Sequence, residues 1–229
     1  MQTLSSFLTQ HLRKYRRPQR RTLPAQRHRI ALSRRLNNMY TDMYRVLKEG
    51  QCGDFRIEKF EITPNNLYAV IHGISVGKYV RLLHKNEVVM SDTNMEKRTN
   101  SKFVINAHGN VLIGGLGIGM ILLAIQDKSN VERIIVVEKS EEVIALVKDQ
   151  LPLNNKVEIV NEDVWEYMPS CKFNTIYMDI WNYINTDVYK DSMKPLISKY
   201  RKYLVSKEED EERFIDCWCR LEAKKGKAI

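Results

Sequence analysis

The glycine-rich stretch VLIGGLGIGM, residues 111–120, constrains this chain more than any other part of the sequence. Residues 111–113 have the apolar pattern of a short buried strand and residues 118–125 that of a helix apolar on all sides, with a glycine turn between them. Such glycines let the backbone approach a ligand closely, and the N-terminus of the helix presents free N–H groups. A buried tight turn can also need glycine for packing alone, so this stretch by itself leaves both interpretations open.

The spacing of these glycines argues against a dinucleotide-binding fingerprint. That fingerprint has the pattern G-x-G-x-x-G. Counting from Gly115, the sixth position is Met120, and counting from Gly117 it is Leu122. The pattern present is G-x-G-x-G, formed by Gly115, Gly117 and Gly119.

Acidic residues follow the glycines at the places where buried strands end. Three further runs predict strands with an acid near the end: 134–137 before Glu138, 157–168 with Asp163 in its turn, and 173–181 with Asp179. Ligands of open parallel sheets bind at the carboxyl ends of the strands, so we expect the glycine loop and the three acids to converge on one crevice. Taken singly, Glu138 could be a surface acid, Asp163 a helix N-cap and Asp179 a residue that turns the chain.

This order of motifs resembles the class I S-adenosylmethionine-dependent methyltransferases, and within them the spermidine synthase-like branch. The similarity covers about residues 55–182. The resemblance implies a Rossmann-like parallel sheet that binds S-adenosylmethionine. It also implies a role for each motif residue: Gly115, Gly117 and Gly119 would approach the methionine end of the cofactor, Glu138 would hold the ribose, Asp163 the adenine amino group, and Asp179 the cofactor's amino group or the acceptor nucleophile.

The chain departs from the spermidine synthase-like pattern in ways that bear on its substrate. Those synthases have a D-x-x-D motif after the fourth strand, whereas this chain begins the motif with Asp179 and has Asn182 in place of the second aspartate. They have a Gln and a Tyr-Glu-like pair in the preceding segment, where this chain has Met90 and residues 98–100, Arg-Thr-Asn. Because a buried ammonium needs compensating charge, the missing carboxylates favour methyl transfer to an unidentified acceptor. Aminopropyl transfer to a polyamine is the alternative.

The positive charge of the chain is concentrated at its N-terminus. Residues 1–48 contain twelve Lys or Arg and one acid, a net +11, whereas the whole chain carries +9. Such an arm can follow a nucleic-acid backbone, so a non-catalytic module that binds nucleic acid is a further alternative. The apolar spacing in 28–48 equally predicts an amphipathic helix packed on the body.

Four segments are predicted from these patterns. Residues 1–48 form a basic helical arm, 49–108 a small antiparallel β domain with strands over 55–62, 67–74 and 78–84, 109–205 the S-adenosylmethionine-binding domain, and 206–229 a C-terminal helix. Phe214, Cys217, Trp218 and Leu221 fall on one helical face, so no fifth strand is predicted. We therefore expect a sheet that is truncated after its fourth strand or completed by a partner chain in a homo-oligomer.

Composition and sequence pattern indicate the cellular compartment in which the protein works. The longest apolar run, Val111 to Ile125, is too short for a membrane span and is broken by glycines, and the basic N-terminus lacks the features of a secretory signal. The four cysteines are too sparse for a disulfide framework. The Cys217-x-Cys219 pair lacks the further ligands of a zinc site, so no metal is expected. A cytoplasmic protein with reduced thiols is predicted.

Overall fold

A five-stranded parallel sheet forms the centre of the computed structural model, which describes residues 38–66 and 74–227. Its strands are β5 (Gly109–Gly114), β6 (Val131–Glu138), β7 (Val157–Asn161), β8 (Thr175–Met178) and β9 (Phe214–Cys217). They lie in the order β7-β6-β5-β8-β9, and every pairing is parallel. The predicted α/β fold with a Rossmann-like parallel sheet is therefore confirmed.

Both faces of the parallel sheet are covered, which explains why its strands are apolar along most of their length. Successive side chains of a strand point to opposite faces. On β5, Val111 and Ile113 join one buried cluster, whereas Leu112 between them joins the other. The first cluster also contains Ile57 and Val80 from the antiparallel sheet, so the two sheets share a core.

The C-terminal part of the chain corrects two predictions. The sheet is not truncated after its fourth strand, because Phe214–Cys217 forms β9 and pairs with β8 from Thr175 to Met178. Residues 206–229 are also not a single helix, since the helix here covers only Arg220–Lys224. The sequence pattern did not predict this strand because it is only four residues long and one of the four is the charged residue Asp216. That aspartate is buried and pairs with Lys102 and Arg220, which balances its charge.

Helices connect the parallel strands on both sides of the sheet. They are α2 (Asn94–Asn106) before β5, α3 (Met120–Ile125), α4 (Glu141–Val147), a π-helical segment (Val188–Met193) that continues into α5 (Lys194–Tyr200), and α6 (Arg220–Lys224). Ser140 caps α4 by accepting a hydrogen bond from the Val143 amide at 3.2 Å. Because every pairing in this sheet is parallel, the carboxyl ends of its strands lie at the same edge of the sheet.

The predicted antiparallel sheet is present. It consists of β1 (Gly50–Cys52), β2 (Phe55–Ile62), β3 (Gly77–His84) and β4 (Glu87–Ser91), paired in that order. The expected strand over 67–74 lies almost wholly outside the described residues. Helix α2, which follows β4, was not predicted, although it falls within the segment 49–108.

Only the end of the predicted basic arm falls within the described residues. There the expected helix over 28–48 is not continuous, because residues 40–42 are non-helical and α1 covers only Met43–Val46. Tyr40, Met43 and Leu47 are buried, and the Tyr40 hydroxyl donates to the Lys97 carbonyl at 2.8 Å. The end of the arm therefore packs on the body, as the apolar spacing predicted. Residues 1–37, including most of the basic charge, lie outside the described part.

An ion pair fastens the acidic loop after α5 to the start of β5. His108 Nε2 and Asp210 Oδ2 are 2.8 Å apart, and the His108 ring also contacts the Asn106 carbonyl. Burial lowers the pKa of His108, but the Asn106 carbonyl and Asp210 outweigh it, so the net shift is upward. The pKa of Asp210 is lowered: burial opposes this, and the hydrogen bonds from Asn174 and His108 prevail.

This pair predicts a stability contribution that depends on pH. A raised His pKa contributes stability below the unfolded value and loses it as pH rises, whereas a lowered Asp pKa loses its contribution as pH falls. We expect His108→Gln to lower the unfolding free energy by at most about 1 kcal/mol at about pH 5 and by less at about pH 8. Urea unfolding at both pH values measures this. In an Asp210→Asn background burial and the Asn106 carbonyl still act on His108 but the charge of Asp210 does not, so the difference between the two pH values should become smaller; if it is unchanged, the pair is not its source.

Candidate functional site

A cleft opens at the carboxyl ends of the parallel strands, between β5 and β8, where the two halves of the sheet meet. The strand order reverses at this point, and open α/β sheets bind their ligands at such a switch point. The cleft encloses about 910 Å³ of empty space, counting its open mouth. Its lining residues are Phe55, Leu82, Val89, Met90, Glu96, Gly115, Gly117, Val137, Glu138, Lys139, Ser140, Val143, Asp163, Val164, Trp165, Asp179, Ile180, Trp181 and Trp218. The cleft thus contains five of the six predicted site residues.

The glycine loop passes close to the end of β8. Gly115 has a φ of +96°, and a Cβ built on it would lie 2.3 Å from the Asp179 carbonyl oxygen. A side chain at this position would clash with backbone, so only glycine fits. Gly119 faces away from the cleft, and its Cβ would meet Leu151 at 2.4 Å. The structure therefore gives Gly119 a packing contact, while Gly115 and Gly117 line the cleft.

Glu138 is held in a fixed orientation at the end of β6. Its Oε2 accepts a hydrogen bond from the Leu116 amide at 2.8 Å, and its Oε1 accepts one from the Ser140 amide at 2.9 Å. The carboxylate thereby links the glycine loop to the start of α4. Each carboxylate oxygen has a second acceptor site, so Glu138 can still bind two hydroxyl groups in the cleft. Ribose binding by Glu138 stays a prediction.

Asp163 lies in the turn that follows β7. Its Oδ1 accepts a hydrogen bond from the Trp165 amide at 2.8 Å, and its carbonyl accepts from the Glu166 and Tyr167 amides. Residues 164–166 form a turn and not a helix, so Asp163 stabilises a turn and is not the helix N-cap that the sequence left open. Asp163 also lines the cleft, and its Oδ2 makes none of the described hydrogen bonds, so binding of an adenine amino group stays a prediction.

Asp179 follows β8 and has the most unusual environment of the predicted acids. Its amide donates to the Gly114 carbonyl at 2.8 Å, which fixes the backbone beside the glycine loop. Its Oδ2 is buried and has no hydrogen-bond partner among the described residues. Burial raises the pKa of Asp179 to about 7, against the opposing effect of a hydrogen bond from Asn100. The carboxyl group can therefore exchange a proton near neutral pH.

The sequence interpretation missed a second buried acid beside Asp179. Glu96 on α2 is 7% exposed and lines the same cleft. Burial, followed by the charge of Asp179, raises the pKa of Glu96 to about 8. Asn100, one helical turn further on, is fully buried and accepts a hydrogen bond from the Tyr177 hydroxyl at 2.9 Å. Glu96 and Asn100 lie four residues apart on one helix, but this spacing is equally typical of a solvent-exposed face, so no sequence signal reveals them.

The cleft is acidic although the whole chain is basic. Among the described residues that line it, the acids are Glu96, Glu138, Asp163 and Asp179, and the only Lys or Arg is Lys139. Low-dielectric walls strengthen the field of such a cluster. The site therefore favours a ligand that carries positive charge, and it disfavours a phosphate-rich one.

Comparisons with known proteins give partial structural similarities only. No protein-family model matches the sequence, and neither does any curated protein. Among solved structures, the chain is similar to the DhpI-SAM-HEP complex, with a TM-score of 0.37, 16% identity, 48% of this chain covered and 50% of that one. For the N-methyltransferase NodS from Bradyrhizobium japonicum WM9 with S-adenosyl-l-homocysteine, the TM-score is 0.40, with 14% identity over 50% of this chain and 59% of that one.

A third similar structure is the plantazolicin methyltransferase BpumL in complex with a desmethyl plantazolicin analogue and SAH. Its TM-score is 0.35, with 17% identity over 47% of this chain and 39% of that one. In all three cases the match spans less than two thirds of the other protein. These comparisons offer no support for the spermidine synthase-like branch. No described helix is long and apolar enough to span a membrane.

Proposed function

We propose that this protein binds S-adenosylmethionine in the cleft and transfers its methyl group to an acceptor. The observation that carries the proposal is the convergence of the glycine loop, Glu138, Asp163 and Asp179 at the switch point of the parallel sheet. Four different strands contribute these residues, and the predicted ligand chemistry of each is compatible with its contacts.

The residues of the cleft fit the proposed cofactor. The loop at Gly115 and Gly117 carries no side chains that would fill the space beside the strand ends, and Glu138 keeps two acceptor sites for a pair of hydroxyls. The acidic lining suits the ammonium and sulfonium charges of the cofactor. When bound, S-adenosylmethionine supplies an electrophilic methyl group. The protein's own contribution would then be to align an acceptor nucleophile with that carbon and to exclude water.

We further propose a cytoplasmic location, supported by the state of the cysteines. All four cysteines are free, and Cys217 and Cys219 are buried. Persistent free thiols are typical of a reducing compartment.

A binding measurement tests the proposed cofactor before any acceptor is known. We expect calorimetric titration to show saturable binding of S-adenosylmethionine and S-adenosylhomocysteine. Glu138→Gln should weaken this binding roughly tenfold or more, because hydrogen bonds to a charged group contribute about 1.5–3 kcal/mol. Glu132→Gln is the matched control, since Glu132 is an exposed acid on the same strand, outside the cleft.

The same titration separates the alternatives. Preference for decarboxylated S-adenosylmethionine would favour aminopropyl transfer over methyl transfer. If S-adenosylmethionine, S-adenosylhomocysteine and decarboxylated S-adenosylmethionine all fail to bind, both enzymatic hypotheses are contradicted, and the glycines would then serve packing alone. Urea unfolding of each variant checks that a loss of binding does not come from a loss of fold.

A further inference from the structure

Two buried carboxyl groups meet at the cleft from different parts of the fold. Glu96 belongs to α2, whereas Asp179 follows β8, and both line the cleft. Asp179 Oδ2 is buried without a partner among the described residues, and an unsatisfied buried acceptor lowers the stability of the fold. A ligand that brings hydrogen-bond donors to this oxygen would remove that cost.

All three tryptophans of the chain lie around the same cleft. Trp165, Trp181 and Trp218 are the full tryptophan content of the sequence, and each lines the cavity. Two of them are held by their indole N–H groups, with Trp181 bonded to Ser192 Oγ and Trp218 to Thr99 Oγ1, both at 3.0 Å. Indole rings attract alkylammonium groups through cation–π interactions, and carboxylates add charge and hydrogen bonds. This combination is typical of a site for an organic cation.

On these grounds we propose that the methyl acceptor is an amine whose nitrogen is held by Asp179 and Glu96, so that the protein is an N-methyltransferase. This inference rests on the proposed function and names its substrate class. An alcohol would bring one donor and no charge, whereas an ammonium brings up to three donors and a positive charge. Anionic acceptors such as nucleic-acid phosphates would face four acids.

The acid pair also gives the acceptor nitrogen a route for its proton. A protonated amine gives one proton to the Asp179 carboxylate and becomes a free amine. Its nitrogen lone pair then forms the bond to the methyl carbon, while the electrons of the broken carbon–sulfur bond pass to sulfur, which becomes a neutral thioether. The product leaves as a methylated ammonium ion, and Asp179 returns its proton to solvent.

The charge state of the pair depends on Asp179 and Glu96 themselves. The other groups whose electrostatic influence reaches Asp179 from neighbouring elements are Tyr40, Tyr177, Cys217 and Cys219. Burial raises the pKa of each of these four, so they stay neutral near pH 7. Ammonium binding should therefore strengthen from about pH 6 to about pH 9, as Asp179 and then Glu96 lose their protons.

Amine binding to the cofactor-loaded protein tests this inference. Protein saturated with S-adenosylhomocysteine is titrated with butan-1-amine, hexan-1-amine and benzylamine, each matched by the corresponding alcohol. We expect at least one amine to bind saturably, more than tenfold tighter than its alcohol. Asp179→Asn and Glu96→Gln should each weaken amine binding at least tenfold and flatten its pH dependence, with each titration made at an S-adenosylhomocysteine concentration that saturates the variant concerned. Glu132→Gln again serves as the control.

The outcomes distinguish failure of this inference from failure of the proposed function. If S-adenosylhomocysteine binds but no amine does, or if alcohols bind as well as amines, the acceptor is not an amine. The same holds if both variants retain amine binding, because the acid pair would then not hold the nitrogen. If S-adenosylhomocysteine does not bind at all, the proposed function itself is wrong. Thermal unfolding of each variant shows whether it is folded, and Asp179→Asn is nearly isosteric.

Discussion

Gly115→Ala is expected to lower the unfolding free energy by at least about 3 kcal/mol and to abolish binding in the cleft. The new Cβ would lie 2.3 Å from the Asp179 carbonyl oxygen, and Gly115 has a φ of +96°, a conformation that alanine rarely adopts. The clash involves backbone, which cannot rotate away as a side chain can. Relief requires the glycine loop and the end of β8 to separate, and this displaces Asp179 from the cleft. Urea unfolding and calorimetric titration measure the two effects.

Two other glycines serve as controls for that substitution. In Gly50→Ala the Cβ would make an ordinary contact of 3.4 Å with Leu146, so the unfolding free energy should change by less than about 0.5 kcal/mol. In Gly119→Ala the Cβ meets the Leu151 side chain, away from the cleft, so stability should fall while cofactor binding is retained by the folded protein. Equal loss of binding in folded Gly115→Ala and Gly119→Ala would contradict this distinction between the two glycines.

The parallel sheet and most of its crevice could be predicted from the sequence because local patterns determine them. Strands buried on both faces are apolar where they are covered, and the central parts of β5, β6 and β8 have that pattern. Parallel strands also bring their carboxyl ends together, so an acid after each strand reaches the same edge. Glu138, Asp163 and Asp179 follow from this rule, and all three line the cleft.

The parts that escaped prediction are those where distant residues decide the local structure. The buried face of α2 carries three polar residues beside Phe103, so the sequence of this face lacks the apolar pattern that predicts a packed helix. They are Glu96, Lys97 and Asn100. Asn100 is stabilised there by Tyr177, which lies 77 residues away in the sequence. Strand β9 likewise contains a buried Asp216, whose negative charge is balanced by ion pairs with Lys102 and Arg220. Buried polar groups at a site depend on partners that periodicity cannot reveal.

Phe103→Ala is expected to destabilise the fold strongly, although Phe103 does not itself line the cleft. Phe103 is 1% exposed, and its ring stacks on Tyr177 with centroids 4.3 Å apart and planes 8° from parallel. Removing a buried phenylalanine typically costs about 3–5 kcal/mol. Tyr177 in turn donates to Asn100, whose side chain acts to lower the pKa of Asp179, so the truncation should also disturb the acid pair.

Ile105→Ala on the same helix is the matched control for Phe103→Ala. Ile105 is 57% exposed, so its truncation should change the unfolding free energy by less than about 0.5 kcal/mol. Phe103→Leu retains part of the buried volume and should lie between the two. If the Leu variant stays folded at 25 °C, its amine binding reports on the position of Asp179 separately from global stability. Unchanged amine binding despite a large loss of stability would show that the stacked pair supports the fold but does not position the acid pair.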